Sequence, residues 1–165
     1  RGAMNMSAEP FMTLPKITDL PDFGLYMDQV MTLMEKTYPK KPLTKTMINN
    51  YTKDRILFPS EKKKYTREHL MLLSLIQVLK RTLSLPEIKV LLSPISEDLV
   101  KGEKASLYTL YETFYTLFQG TLLLAEETKG SLEAQSPQKE VRILLHALLS
   151  SYFAEETEKL INTLA

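Results

Sequence analysis

Residues 43–92 read LTKTMINNYTKDRILFPSEKKKYTREHLMLLSLIQVLKRTLSLPEIKVLL, and the punctuation of this stretch decides the fold. Thr44 is an N-cap for a helix over about 45–55, because a threonine hydroxyl can accept from an orphan amide of the first turn. Met47, Ile48 and Tyr51 form the apolar face of that helix, at i, i+1 and i+4. Its other face carries Lys45, Thr46, Asn49, Asn50 and Lys53, with Arg55 at its end. That face is rich in amides, hydroxyls and amines, where an ordinary solvated helix carries Glu/Lys pairs. Ile56-Leu57-Phe58-Pro59 is extended and β-prone, Ser60-Glu61-Lys62-Lys63-Lys64 is a short charged loop, and Tyr65 re-enters the apolar pattern. Thr66 caps the next helix, predicted over about 67–83 and strongly apolar through Leu70, Leu73, Ile76, Leu79 and Leu83. Ser84-Leu85-Pro86-Glu87 is an S-x-x-E capping box opening a short helix that is predicted to end near Leu92, before Pro94.

Outward from this stretch the pattern changes twice. Upstream, a helix starts near Leu25 with apolar residues at 26, 27, 30, 33 and 34, and Pro39 and Pro42 close it in a tight connection. Residues 1–22 hold Pro10, Pro15 and Pro21 with little periodicity and read as an arm. The start Arg1-Gly2-Ala3-Met4 looks like a protease-cleavage scar, which puts the native start near Met4 or Met6. Downstream, residues 93–103 read as a linker with Pro94 and Gly102. Two long helices follow, about 104–129 and 137 to the end, with the turn marked by Gly130-Ser131 and Ser136-Pro137. Val141, Leu144, Leu145, Leu148, Leu149, Tyr152 and Phe153 give the second a wide apolar stripe. The domains expected are therefore 1–22 as scar and arm, 23–93 as a first domain, and 94–165 as a helical hairpin.

Composition removes several function classes. The chain has no cysteine, which excludes disulfides, thiolate nucleophiles and cysteine metal sites and fits a cytoplasmic protein. No apolar run reaches a membrane-spanning length and no signal peptide is visible. His69 and His146 lie far apart with no H-x-x-x-H spacing, so neither reads as a metal ligand and no cofactor is expected. No G-x-S-x-G, glycine-rich phosphate loop or paired-carboxylate motif appears, and the expectation is a protein that is not an enzyme. The formal charge of +1 hides an asymmetry. Residues 36–64 carry nine Lys/Arg against two acids, while 103–165 carry five against nine. A basic segment followed by an acidic one points the first toward a polyanion.

Helix, tight turn, polar-faced helix, extended lysine loop and capped helix together match a winged helix-turn-helix, in an otherwise all-α chain. A helix fits the major groove of duplex DNA, where Asn, Thr and Lys read base edges, and a lysine loop beside it lies against phosphates. Lys62, Lys63 and Lys64 supply that loop, flanked by Tyr65 and Arg67.

The same stretch resembles the DNA-binding domain of MerR-type regulators. Their motif S-x-x-T-I-R-Y-Y-E-x-x-G-L-I-P is followed by a wing, then R-Y-S-E-E-D-L, then S-L-E-E-I-K-x-L-L. Thr44 takes the capping serine position, Ile48 and Tyr51 the inward positions, and Leu57 and Pro59 lead into the wing. Lys64-Tyr65-Thr66-Arg67-Glu68-His69-Leu70 resembles the helix start, and residues 84–92 the last segment. The chain is more similar still to an uncharacterised bacterial family of MerR-like proteins known only as a domain of unknown function. The resemblance implies a DNA-binding transcriptional regulator, and the two C-terminal helices, which cannot bury their wide apolar stripes on each other alone, imply a homodimer. The family's two recognition-helix arginines fall on Thr46 and Asn49 here, and its turn glycine falls on Arg55. Arginine reads guanine and asparagine pairs with adenine, so operator sequence does not carry over.

Tyr108, Tyr111, Phe114, Tyr115 and Phe118 make an aromatic stripe on the first C-terminal helix. It reads as core or dimer packing, or as the wall of a pocket for a small-molecule effector. Two functions stay open: a homodimeric regulator of double-stranded DNA, and a protein-interaction module with the lysine loop facing an acidic protein.

Overall fold

The computed structural model describes residues 10–165, so the scar reading at Arg1–Met4 lies outside the described residues. Within them the chain is all-α. Six helices follow one another: α1 (Met27–Thr37), α2 (Lys45–Lys53), α3 (Arg67–Leu79), α4 (Leu85–Val100), α5 (Ala105–Gln135) and α6 (Lys139–Asn162). Extended pairing among the described residues is limited to two isolated antiparallel bridges, Leu25 with Tyr65 and Glu61 with Lys64. Among the described residues no helix is long and apolar enough to cross a membrane.

The predicted caps operate. Thr44 Oγ1 accepts from the Met47 amide at 3.1 Å, and the Ser84 and Glu87 side chains each reach the other's backbone amide. α3 is buried on every side over ten consecutive residues, Glu68 to Gln77, which makes it the central helix of the core. Val30 and Met34 of α1, Ile48 and Tyr51 of α2, and Ile88 and Leu92 of α4 pack around it. Gln77 Nε2 donates to the Lys41 carbonyl and Lys80 Nζ to that of Pro42, which straps the α1–α2 connection onto α3.

The expected end of α4 is corrected. α4 does not end before Pro94 but runs on to Val100, so the predicted linker shrinks and the expected domain boundary at 93–94 falls inside a helix. A proline inside a helix removes one amide donor at a cost of about 3 kcal/mol. Burial of Leu92, Ser96 and Leu99 across the proline offsets it, helped by Ser96 Oγ donating to the Ile56 carbonyl at 2.6 Å. The helix stops instead at Gly102, whose φ of +83° closes the turn. The arm, in turn, is irregular but anchored. Met12, Leu14 and Leu20 are buried, and Tyr38 and Tyr111 donate from their hydroxyls to the Thr13 and Pro15 carbonyls at 2.8 and 2.5 Å.

α5 begins in this core, through Leu107, Tyr111 and Phe118, and then leaves it. α6 returns along α5 to meet α4, yet among the described residues after Phe118 only Ile161 is buried.

Candidate nucleic-acid interface

The polar face of α2 stands in solvent as the helical period requires. With Ile48 and Tyr51 buried, Lys45, Thr46, Asn49, Asn50 and Lys53 are exposed. Thr44 is exposed too, but its hydroxyl is engaged in the cap. Arg55 follows at the C-terminal end of α2 with φ +63°, the left-handed conformation that glycine ordinarily supplies. The Arg55 amide donates to the Thr52 carbonyl at 3.0 Å and the Ile56 amide to that of Tyr51 at 2.9 Å, which is the Schellman closure. Ser93 Oγ of α4 donates to the Arg55 carbonyl at 2.7 Å and locks the turn from outside.

The lysine loop is a tight reversal. Glu61 and Lys64 exchange backbone hydrogen bonds of 3.2 and 3.0 Å, and the two residues between them, Lys62 and Lys63, have φ of +53° and +65°. Two consecutive left-handed residues define the turn that Asn-Gly favours, and here both are lysines. Arg55, Lys62 and Lys63 are the non-glycine residues with positive φ among those described, and all three are cations expected to face a polyanion. Each left-handed side chain costs about 1 kcal/mol, so this backbone holds strain at its basic positions.

One neighbourhood gathers these parts at the first turn of α1. Lys64 lies with its ammonium 5.5 Å from the centre of the Tyr26 ring, and a methyl group on Gly24 would stand 3.0 Å from the Lys64 stem. Lys45 pairs with Asp28 at 3.0 Å, two residues beyond Tyr26. Phe23 and Tyr26 are exposed, 67% and 54%, and of the two the Tyr26 ring lies against the Lys64 ammonium. Neither aromatic was found from the sequence; Gly24 was the only signal, and glycine alone does not say what approaches it.

Two expected residues turn inward. Tyr65 is buried, with its backbone paired to Leu25. Arg67 donates from Nε and Nη2 to the Leu20 carbonyl at 3.1 and 2.8 Å and so holds the arm. The interface is drawn without them. Beneath it, His69 is fully enclosed. The Thr66 amide donates to its Nδ1 at 2.9 Å, which leaves the proton on Nε2 to be shared by the Phe58 and Pro59 carbonyls at 3.0 and 3.3 Å. The ring also stacks on Phe58 at 3.7 Å. Burial pushes its pKa down to about 4, against the opposing pull of those two carbonyls, so it is neutral at pH 7.

The aromatic stripe of α5 divides. Tyr111 and Phe118 are core residues, while Tyr108 donates to Glu68 at 2.5 Å and Tyr115 is exposed. Burial alone would raise the Glu68 carboxyl, but the Tyr108 hydroxyl, its own amide and Lys104 hold it below the usual range. Phe114 borders a cavity of about 170 Å³ between α3, α4 and α5, smaller than a drug-sized ligand needs.

A family model described as a domain of unknown function (DUF1836) matches residues 15–114, more than half of the chain. That span includes the end of the arm from Pro15 on, all of α1 to α4 and the buried start of α5. No match was found among curated proteins or among solved structures.

Proposed function

We propose, from the premise that the chain belongs to the DUF1836 family of unknown function, that it is a DNA-binding transcriptional regulator of the MerR-like, winged helix-turn-helix type found in bacteria. α2 is the recognition helix, the turn at 61–64 is the wing, and the protein acts in the cytoplasm as a homodimer through α5 and α6. The observation that carries this reading is the exposed amide and hydroxyl face of α2 beside a two-lysine turn held in a left-handed backbone. Asn49 and Asn50 have the donor and acceptor pair that reads adenine in the major groove. Lys62, Lys63 and Lys64 neutralise phosphates and release counterions without reading sequence. The exposed leucines of α5 and α6 supply the surface for a second copy.

Selection of bound duplexes from a random library, followed by titrations on the selected and a random duplex at one salt concentration, tests it. Asn49→Ala or Asn50→Ala should cost about 1 to 3 kcal/mol on the selected site and almost nothing on random DNA. Replacing all three lysines by Ala should weaken every duplex alike and reduce the salt slope by about two to three. A chain that enriches no sequence and binds duplexes no better than an acidic polypeptide is an interaction module instead.

A further inference from the structure

A cleft of about 530 Å³ opens between the C-terminal end of α2, the extended segment after it and the second half of α4. Its α4 wall exists only where the helix continues past Pro94, so no local pattern of residues announces it. Its apolar wall includes Phe58, Pro59 and Val100. Phe58 is fixed from behind by the stacked His69 ring, and Val100 is 65% exposed at the end of α4. Lys53, Arg55 and Lys101 line the same cleft against a single acid, Glu97. The backbone here is tied down: the Arg55 and Ile56 carbonyls accept from Ser93 and Ser96, so they neither repel an anion nor need one to order them. An apolar wall of fixed shape, within the size range of small-molecule sites and with two cations in excess, is complementary to one kind of ligand.

We propose that this cleft binds a small amphipathic anion, a flat apolar body against Phe58, Pro59 and Val100 with one carboxylate, sulfonate or phosphate held by Arg55 and Lys101. A neutral ligand leaves the excess of two cations unmatched. The site stands on this geometry whether or not the chain binds DNA.

The test titrates the ¹⁵N-labelled full chain with 2-naphthoate and, separately, with the uncharged 2-naphthalenemethanol. Naphthoate should give saturable shifts at the amides of Leu57, Phe58, Val100 and Lys101, with the alcohol about tenfold weaker for want of a charge-assisted hydrogen bond. Arg55→Gly with Lys101→Gln should reduce naphthoate affinity to that of the alcohol. Glycine suits the left-handed backbone at 55, so this variant keeps the fold. Val100→Glu, at an exposed position, should abolish naphthoate binding by placing a carboxylate in the mouth. The absence of saturable shifts, equal affinity for acid and alcohol, shifts confined to the α5–α6 hairpin, or undiminished binding by both variants would each overturn the proposal.

Discussion

Leu72 and Leu148 are the same side chain on two helices of one chain, the first fully buried and the second 69% exposed. Around Leu72 every helix from α1 to α5 turns an apolar stripe inward, and even the irregular arm contributes Met12, Leu14 and Leu20. Around Leu148 the helical rule is obeyed and nothing covers the result. Leu144, Leu148 and Tyr152 stand at successive fourth positions on α6, and Leu117, Leu123 and Leu124 stand out on α5. Secondary structure and burial are separate achievements. The N-terminal part reaches both, while the hairpin reaches the first and leaves a surface that, in the reading proposed above, a second copy buries.

Alanine at the two leucines gives the sharpest contrast. Leu72→Ala should destabilise the chain by about 3 to 5 kcal/mol, since rigid neighbours leave a cavity that cannot collapse. Urea unfolding measures it, and a cost below about 1 kcal/mol would mean that the core is loosely packed. Acid should act on the same half of the molecule. His69 is neutral in the fold with a pKa of about 4 against an ordinary 6.5. Above pH 6.5 the ring is neutral folded or unfolded, and its contribution is present in full. As pH falls from 6.5 toward 4 only the unfolded chain takes the proton, and stability drops by about 1.4 kcal/mol per unit, about 3 kcal/mol in all. Denaturant midpoints at pH 7 and pH 5 test this, with His69→Gln expected to flatten the slope.

Leu148→Ala sharpens the other side. On an uncovered helix it should be almost neutral, whereas in a dimer interface it should cost about 2 kcal/mol and make the apparent stability depend on protein concentration. Sedimentation equilibrium of the wild-type chain and a Leu144→Glu, Leu148→Glu variant decides between them. A wild-type chain that stays monomeric at high concentration ends the homodimer proposal.

How much of this was legible follows from what each feature needs. Starts of α2, α3 and α4 were readable because Thr44, Thr66 and the Ser84–Glu87 box are local devices: a side chain within three residues does the capping. The end of α4 was misread because the sequence shows Pro94 but not the burial that outweighs it. Packing of the arm was hidden for a similar reason. Its anchors, such as the Tyr111 hydroxyl on the Pro15 carbonyl, join residues far apart in the chain and leave no period. Of the candidate site, the α2 face was readable from its spacing. The inward turn of Arg67 toward the Leu20 carbonyl was not, since an arginine after a basic loop looks the same whether it faces solvent or backbone.

The smallest expected effect bears on the strained basic turns, and its sign is the informative part. Two helix ends use the same closure: Gly102 at the end of α4 with φ +83°, and Arg55 at the end of α2 with φ +63°. Gly102 meets the left-handed requirement without strain, whereas Arg55 forces a Cβ against its own carbonyl. Arg55→Gly should therefore raise stability by about 1 kcal/mol, less whatever is lost to the greater freedom of glycine in the unfolded chain. Lys62→Asn with Lys63→Gly, the pair this kind of turn favours, should do the same. If the cations are kept there for a polyanion, the stabilised variants will bind duplex DNA more weakly, with a salt slope lower by about one for each phosphate contact removed. Thermal unfolding and DNA titration on the same samples separate the two effects. Variants that gain stability and keep full affinity would leave the strain with no functional counterpart. Variants that lose stability would show that the Arg55 and lysine side chains make contacts worth more than the strain they carry.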